Sequence, residues 1–210
     1  MEHSTKQRLL VGTGNLGKCL EIAEILGEIP FEIVSLKGLR QVPEPEETGV
    51  TYMENAIIKA RYYANAFGLL TIADDSGLEV RALNFAPGLL SARYAGPNAS
   101  DGDRRSLLLH NLNATSDSDR TARFVCAVAV ASPRAEVLFS SEGSCTGSIA
   151  TAPRGASGFG YDPLFIPEGY SQTFAELPEI TKNQISHRGR ALANVREFLA
   201  TFRAVNRSTK

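Results

Sequence analysis

The sequence predicts an α/β protein built on a mixed β-sheet. Short apolar runs alternate with amphipathic stretches up to Val80, the pattern of strands joined by crossover helices. Two segments of strand character, Arg123–Ala131 and Glu136–Ser141, flank Ser132-Pro-Arg-Ala135 as the arms of an antiparallel hairpin. The chain has 210 residues, 43% of them hydrophobic, enough for one substantial domain or a two-lobed one without a metal or disulfide staple.

The elements follow in chain order. Arg8–Gly12 reads as a short apolar strand that runs into TGNLGK. A helix follows, with Leu16, Leu20 and Ala23 beside Ile22, Ile25 and Leu26 on one wide apolar face, and it ends near Gly27. Phe31–Leu36 is a second strand, and Pro43 and Pro45 mark an acidic loop. Thr51-Tyr-Met-Glu54 has capping-box spacing, so a helix starts there. Its stripe of Ala56, Ala60, Tyr63 and Phe67 leads to Gly68. Leu69–Ala73 is a short continuous strand, apolar enough for a buried parallel position. Residues 86–102 read as a loop, Arg104–Leu112 as a helix, residues 152–162 as a glycine-rich turn, and Arg188–Ala204 as the last long helix. On this layout the Gly12–Lys18 turn and Asp74-Asp75 fall at the carboxyl ends of strands, where α/β sheets collect ligands.

Composition excludes several function classes. A net charge of −1 provides no global field for DNA, RNA or a membrane surface. The three cysteines, Cys19, Cys126 and Cys145, form no C-x-x-C, and the three histidines are scattered, so neither a zinc site nor a disulfide framework is expected. No apolar run is long enough to span a bilayer, and MEHSTKQRLLVG lacks the apolar stretch of a signal peptide. These features point to a cytoplasmic protein. Charge is uneven locally. Gln41–Glu54 carries four acids and no base, whereas Thr181–Lys210 carries seven bases and one acid. Two solvated faces explain most of these charges; a metal at one segment and an anion at the other is the sharper reading.

Five segments carry chemistry. Gly12–Cys19, GTGNLGKC, combines small residues, a helix start and Lys18, a geometry that suits phosphate; an ordinary strand-to-helix turn uses glycines too. Gly12, Gly17 and Lys18 also satisfy the P-loop pattern, but Cys19 stands where that motif places Ser or Thr on magnesium, and a thiol is a poor ligand for that hard ion. Asp74 and Asp75, with Glu46 or Glu47, offer hard oxygens for Mg²⁺; the bland reading, an Asp-capped turn, explains only one of the two aspartates. Lys59 by pattern alone is a surface lysine. Ser157–Pro163, SGFGYDP, either opens the faces of Phe159 and Tyr161 for stacking on a base or is a turn over a buried aromatic. Lys182–Arg190, KNQISHRGR, places donors where a base edge or phosphates would accept them, and Ser186 is equally a plain N-cap.

Taken in order, TGNLGK, EETG, ENAIIKA, ADDSGLEV, PGLLSARYAG, SGFGYDPLF and KNQISHRGRAL closely resemble the inosine triphosphate pyrophosphatase family, the Ham1-like or RdgB-like noncanonical purine NTPases, over about residues 8–200. The resemblance implies a mixed twisted sheet flanked by helices, arranged as two lobes with a central cleft, the whole of residues 1–210 forming one such domain. It implies Mg²⁺-dependent hydrolysis of ITP, dITP and XTP to the monophosphate and pyrophosphate, and a homodimer, with no nucleic-acid or membrane partner. Carried over by position, Thr13, Gly14, Asn15, Leu16, Gly17 and Lys18 hold phosphates, and Lys59 joins them. Asp75 is the proton acceptor with Asp74 beside it, and Glu47 and Asp75 hold the metal. Ser76, Phe159, Gly160, Tyr161, Asp162, Lys182, His187 and Arg188 bind the nucleotide. His187 or Arg188 would donate to the 6-oxo group that adenine lacks. Two departures stand out. Cys145 replaces a bulky aromatic of many relatives, which bears on packing, and Cys19 sits at a helix start where a thiol pKa is able to fall, although a small buried residue is the better reading of it. The rival readings are a P-loop NTPase or phosphotransferase, a nucleotide-binding regulator without turnover, and a Maf-like pyrophosphatase; the SHR and FGYD segments favour the inosine-type enzyme over the last.

Overall fold

The structure is a computed structural model and describes residues 6–208, with side chains described through Phe202. His3 and the rest of MEHST lie outside the described residues. Strand β1 (Gln7–Val11) leads to helix α1 (Leu16–Leu26), then β2 (Phe31–Ser35), α2 (Tyr52–Phe67) and β3 (Leu70–Val80). Next come α3 (Asp101–Ala114), β4 (Thr121–Ala131), β5 (Val137–Ile149), β6 (Phe165–Pro167), α4 (Glu179–Ile185) and α5 (His187–Ser208). The six strands form one sheet in the order β2-β1-β3-β4-β5-β6. The sheet is mixed as predicted: β1 pairs parallel with β2 and β3, and β5 pairs antiparallel with β6.

Local sequence explains the helix boundaries. Asn15 caps α1 by accepting from the Lys18 N–H at 3.0 Å. Thr51 and Glu54 form the predicted reciprocal capping box of α2, and Ser100 with Asp103 forms another at α3. Gly68 ends α2 in the left-handed conformation. β4 lies inside the sheet, and all its residues from Phe124 to Ala131 are buried, as a strand covered on both faces requires.

By internal contacts the chain divides into two compact units. The first holds the residues through Asp75, Ala127–Glu142, and those from Arg190 on; the second holds Ser76–Cys126 and Gly143–Gly189. Leu9, Leu10, Ile22, Leu26, Ile72 and Leu192 are fully buried in the first. In the second, Leu78, Val80, Leu108, Leu164, Phe124, Phe165 and Phe174 share one apolar cluster, with the Phe124 and Phe165 rings 4.7 Å apart. Each such fully buried side chain contributes about 1.5–3 kcal/mol.

Four expectations need correction. Leu16 and Leu20 do not face the core: they are 65% and 62% exposed, and the buried side of α1 runs through Glu21, Ile22 and Leu26. β3 does not stop at Ala73. It continues to Val80 because Leu78 and Val80 are needed in the second unit's core. The loop over residues 86–102 contains a 3₁₀ turn at Gly88–Arg93, and the hairpin arms are longer than their apolar cores suggested. The last long helix, expected over Arg188–Ala204, is α5; the short α4 before it was not expected, and Ser186 both ends α4 and accepts from the Gly189 N–H at 3.0 Å to start α5.

Candidate functional site

The first unit gathers the phosphate-type segment and the acids. Pairing of β1 with β3 ends at Ile72, whose carbonyl accepts from the Gly12 N–H at 2.8 Å. There the chain turns away through Thr13, Gly14 and Asn15 into α1. The Asn15 N–H donates to Thr13 Oγ1 at 3.2 Å, which fixes the turn. Leu16 and Gly17 open the helix, so their backbone amides stand at the positive end of an 11-residue dipole. A cavity of about 530 Å³ borders this turn, with Thr13, Gly14, Cys19, Tyr63 and Phe67 among its walls.

Asp74 and Asp75 therefore occupy the middle of a strand, beyond the point where its neighbour has turned off. Successive strand residues point to opposite sides, so the two carboxylates take different partners. Asp74 Oδ2 meets Lys18 Nζ at 3.2 Å, and Asp75 Oδ1 meets Lys59 Nζ at 3.0 Å. Lys59 also donates to Glu47 Oε1 at 2.6 Å. Of the two glutamates considered, Glu47 is the one that meets this group. Asp74 and Asp75 are buried, 1% and 7% exposed. Burial pushes the Asp75 carboxyl up, and Lys59 and Lys18 offset only part of that, so it sits above the usual carboxylate range. Burial works against the Lys59 ammonium, but Asp75, Asp74 and Glu47 outweigh it and raise its pKa.

Among the described residues no three His, Cys, Asp or Glu side chains form a ready-made metal cage. Glu47 and Asp75 nevertheless converge on one cation, the Lys59 ammonium, and they bring the carboxylate oxygens that Mg²⁺ prefers. That donor set fits the ion.

The second unit holds the remaining predicted residues. Arg188, 2% exposed, donates from Nη2 to Ser76 Oγ at 3.0 Å, and its guanidinium lies 5.7 Å from the centre of the Phe159 ring. Lys182 Nζ lies 5.3 Å from the same ring and bonds Asp162 Oδ2 at 2.6 Å. Asp162 Oδ2 also accepts from the Phe159 N–H at 3.0 Å. Gly158 is required here: its φ is 73°, and a Cβ would come 2.2 Å from Asp162 Oδ2.

Of the two readings of SGFGYDP, the turn over a buried aromatic holds at Tyr161. Tyr161 does not open its face; it is 5% exposed, belongs to the apolar cluster and donates its hydroxyl to the Ser91 carbonyl at 3.0 Å. Burial pushes its phenol well above the ordinary value. The His187 ring is buried and stacks on Phe124 at 4.5 Å. At Cys19 the plainer reading, a small packing residue, holds: burial raises its thiol pKa, so it is protonated near neutrality rather than activated.

Sequence reasoning missed three residues that touch these groups. Asn55 bonds Asp75 Oδ2 at 3.2 Å, and its only sequence signal is its place in ENAIIKA. Asp101 accepts from the Gly160 N–H at 2.8 Å, and Arg105 donates to the Gly160 carbonyl at 2.7 Å. Nothing in their local sequence marks these two, since charged side chains are ordinary on the solvated face of a helix.

Comparison with known proteins adds an independent line. The sequence profile of the Ham1 family matches residues 9–198. The dITP/XTP pyrophosphatase of Geobacter sulfurreducens is 48% identical over 192 residues, which cover 91% of this chain and 96% of that protein. The dITP/XTP pyrophosphatase of Vibrio cholerae is 47% identical over 190 residues, 89% of this chain and 93% of that protein. Among solved structures, a HAM1 protein from Coxiella burnetii superposes with a TM-score of 0.82 at 42% identity, covering 92% of this chain and 98% of that one.

Proposed function

The chain belongs to the Ham1 family, and from that premise we propose that it hydrolyses dITP, ITP and XTP to the monophosphate and pyrophosphate. The observation that carries this reading is the convergence of Lys18 and Lys59 on Asp74, Asp75 and Glu47 within the first unit. Hydrolysis of a phosphoanhydride needs charge neutralisation and alignment more than covalent help. Two ammoniums supply the first, and a buried carboxylate supplies a proton acceptor.

In the reaction a water oxygen bonds to the α-phosphorus while the bond to the oxygen bridging toward the β-phosphorus breaks. Pyrophosphate leaves, and the water's proton passes to Asp75. A carboxyl held above its usual range is a better base at neutral pH than an ordinary aspartate. Thr13, Gly14, Asn15, Leu16 and Gly17 bind the polyphosphate through the turn and the α1 N-terminus; the exposed Leu16 side chain takes no part. Glu47 and Asp75 would hold Mg²⁺, which when bound would supply charge to offset that of the polyphosphate. Phe159, Gly160, Asp162, Lys182 and Arg188, with Ser76, His187 and Tyr161 shaping their surroundings, serve the base.

The reading takes the whole chain as one domain and the enzyme as a cytoplasmic homodimer with a purine nucleotide as its partner molecule. Among the described residues no helix is long and apolar enough to cross a membrane. The P-loop alternative loses its magnesium ligand at Cys19, which does not replace Ser or Thr on a hard ion.

Asp75→Asn tests the assignment. Turnover of dITP with Mg²⁺ should fall by about a hundredfold to ten-thousandfold, the usual worth of a general base. The fold should survive. Asp75 is ion-paired with Lys59 at 3.0 Å, so circular dichroism and a melting curve establish that the loss of turnover is not a loss of fold. A variant with wild-type turnover contradicts the proposal.

A further inference from the structure

Asn55 is 2% exposed on α2 and has two side-chain bonds. Its Oδ1 accepts from the Gly49 N–H at 2.8 Å, and its Nδ2 donates to Asp75 Oδ2 at 3.2 Å. Chemistry dictates this orientation, since a backbone N–H needs an acceptor and a carboxylate needs a donor. The helix itself makes no use of the amide: Thr51 and Glu54 complete the cap, and the Asn55 N–H bonds the Thr51 carbonyl.

One side chain thus ties two parts of the site together. Gly49 lies two residues beyond Glu47, whose Oε1 meets Lys59, and Lys59 in turn meets Asp75 Oδ1. Gly49 is the residue that admits this contact. A Cβ there would come 2.7 Å from Asn55 Oδ1 and 2.6 Å from Glu54 Cβ.

We infer that Asn55 is the positioning residue for the hydrolytic reaction: its amide fixes the rotation of the Asp75 carboxylate and the register of the Glu47 loop. The inference rests on the function proposed above. The terminal torsion of an aspartate is broad and roughly twofold, so a carboxylate needs a second contact to hold one orientation. Lys59 provides the first contact, but an ammonium that neutralises polyphosphate shares its bonds with phosphate oxygens. Asn55 is neutral, has no such competing call, and keeps Asp75 aimed through the reaction.

Two variants break the tie from opposite sides. Asn55→Ala removes the amide, and Gly49→Ala drives the loop away from it. For each we expect kcat on dITP to fall about 10–100-fold, the usual effect of losing a residue that orients a metal ligand. KM should stay within about threefold, because the phosphate and base contacts remain. Binding of Mn²⁺ alone, read as free ion by electron paramagnetic resonance, should weaken about tenfold. Circular dichroism and melting curves identify which variants fold, and if Asn55→Ala does not fold, Gly49→Ala decides. A folded variant with kcat within twofold of wild type overturns the inference, as does a loss seen only in melting temperature. Asp75→Asn separates the two levels. If it is inactive while folded Asn55→Ala is fully active, only the role of Asn55 falls. If Asp75→Asn is itself fully active, the reading beneath it falls too.

Discussion

Asp74 and Asp75 sit in the middle of β3 although adjacent carboxylates repel and are poor strand formers. Their pairing explains why they are tolerated: each has its own ammonium, Lys18 or Lys59, and Asp75 also has an amide. The pair of acids was legible in the sequence because no bland reading covers both. Lys59 was not, because a lysine at helical spacing carries no signal of its own; only the match of ENAIIKA to a family singled it out. Tyr161 was left between two readings because a glycine-flanked aromatic looks the same whether it faces solvent or a core, and the core reading holds. At the same scale, the proposed function gives Arg188 the discrimination against adenine: its donors would match the 6-oxo acceptor of hypoxanthine and be left unpaired against the adenine amino group. Arg188→Ala should therefore lower the ratio of kcat/KM for ITP over ATP about 10–100-fold, measured at fixed Mg²⁺. An unchanged ratio means another group reads the base.

Elements were more legible than their ends. The α2 capping box and the Gly68 stop match the expected helix closely, since both rest on local hydrogen bonds that sequence encodes. The end of β3 was not legible. Ser76 and Gly77 look like a turn, yet burial of Leu78 and Val80 keeps the strand extended, a tertiary demand that overrides propensity. α3 contributes a device that propensity cannot reveal, a clamp of Asp101 and Arg105 on the two backbone groups of Gly160. Burial pushes the Asp101 carboxyl up, but its bonds to Arg104 and to the Gly160 N–H outweigh that and hold it below the ordinary 3.8. Its folded pKa is depressed, so the clamp is complete above that ordinary value and is lost only as pH falls through the lower folded one. Asp101→Ala should raise KM for dITP about threefold to tenfold, the worth of one hydrogen bond, with kcat nearly unchanged. The ratio to wild type should be the same at pH 6 and pH 8. A ratio that changes between them contradicts a clamp already complete at both.

For the whole molecule, alternation of strands and helices gave the α/β class, and the late hairpin gave the mixed sheet. Division into two units is harder to read, because β3, β4 and β5 each contribute residues to both and no linker marks a boundary. The predicted residues sort cleanly by unit: Lys18, Lys59, Glu47, Asp74 and Asp75 in the first, and Ser76, Phe159, Asp162, Lys182 and Arg188 in the second. The account assigns cleavage to the first set and base choice to the second. Product analysis tests both at once, with dITP, ITP, XTP, GTP and ATP offered separately with Mg²⁺ and the products resolved by ion-exchange chromatography. The account predicts monophosphate and pyrophosphate from dITP, ITP and XTP, and little turnover of GTP or ATP. Release of nucleoside diphosphate and inorganic phosphate would contradict it, because the bond cut would then lie at the γ-phosphate.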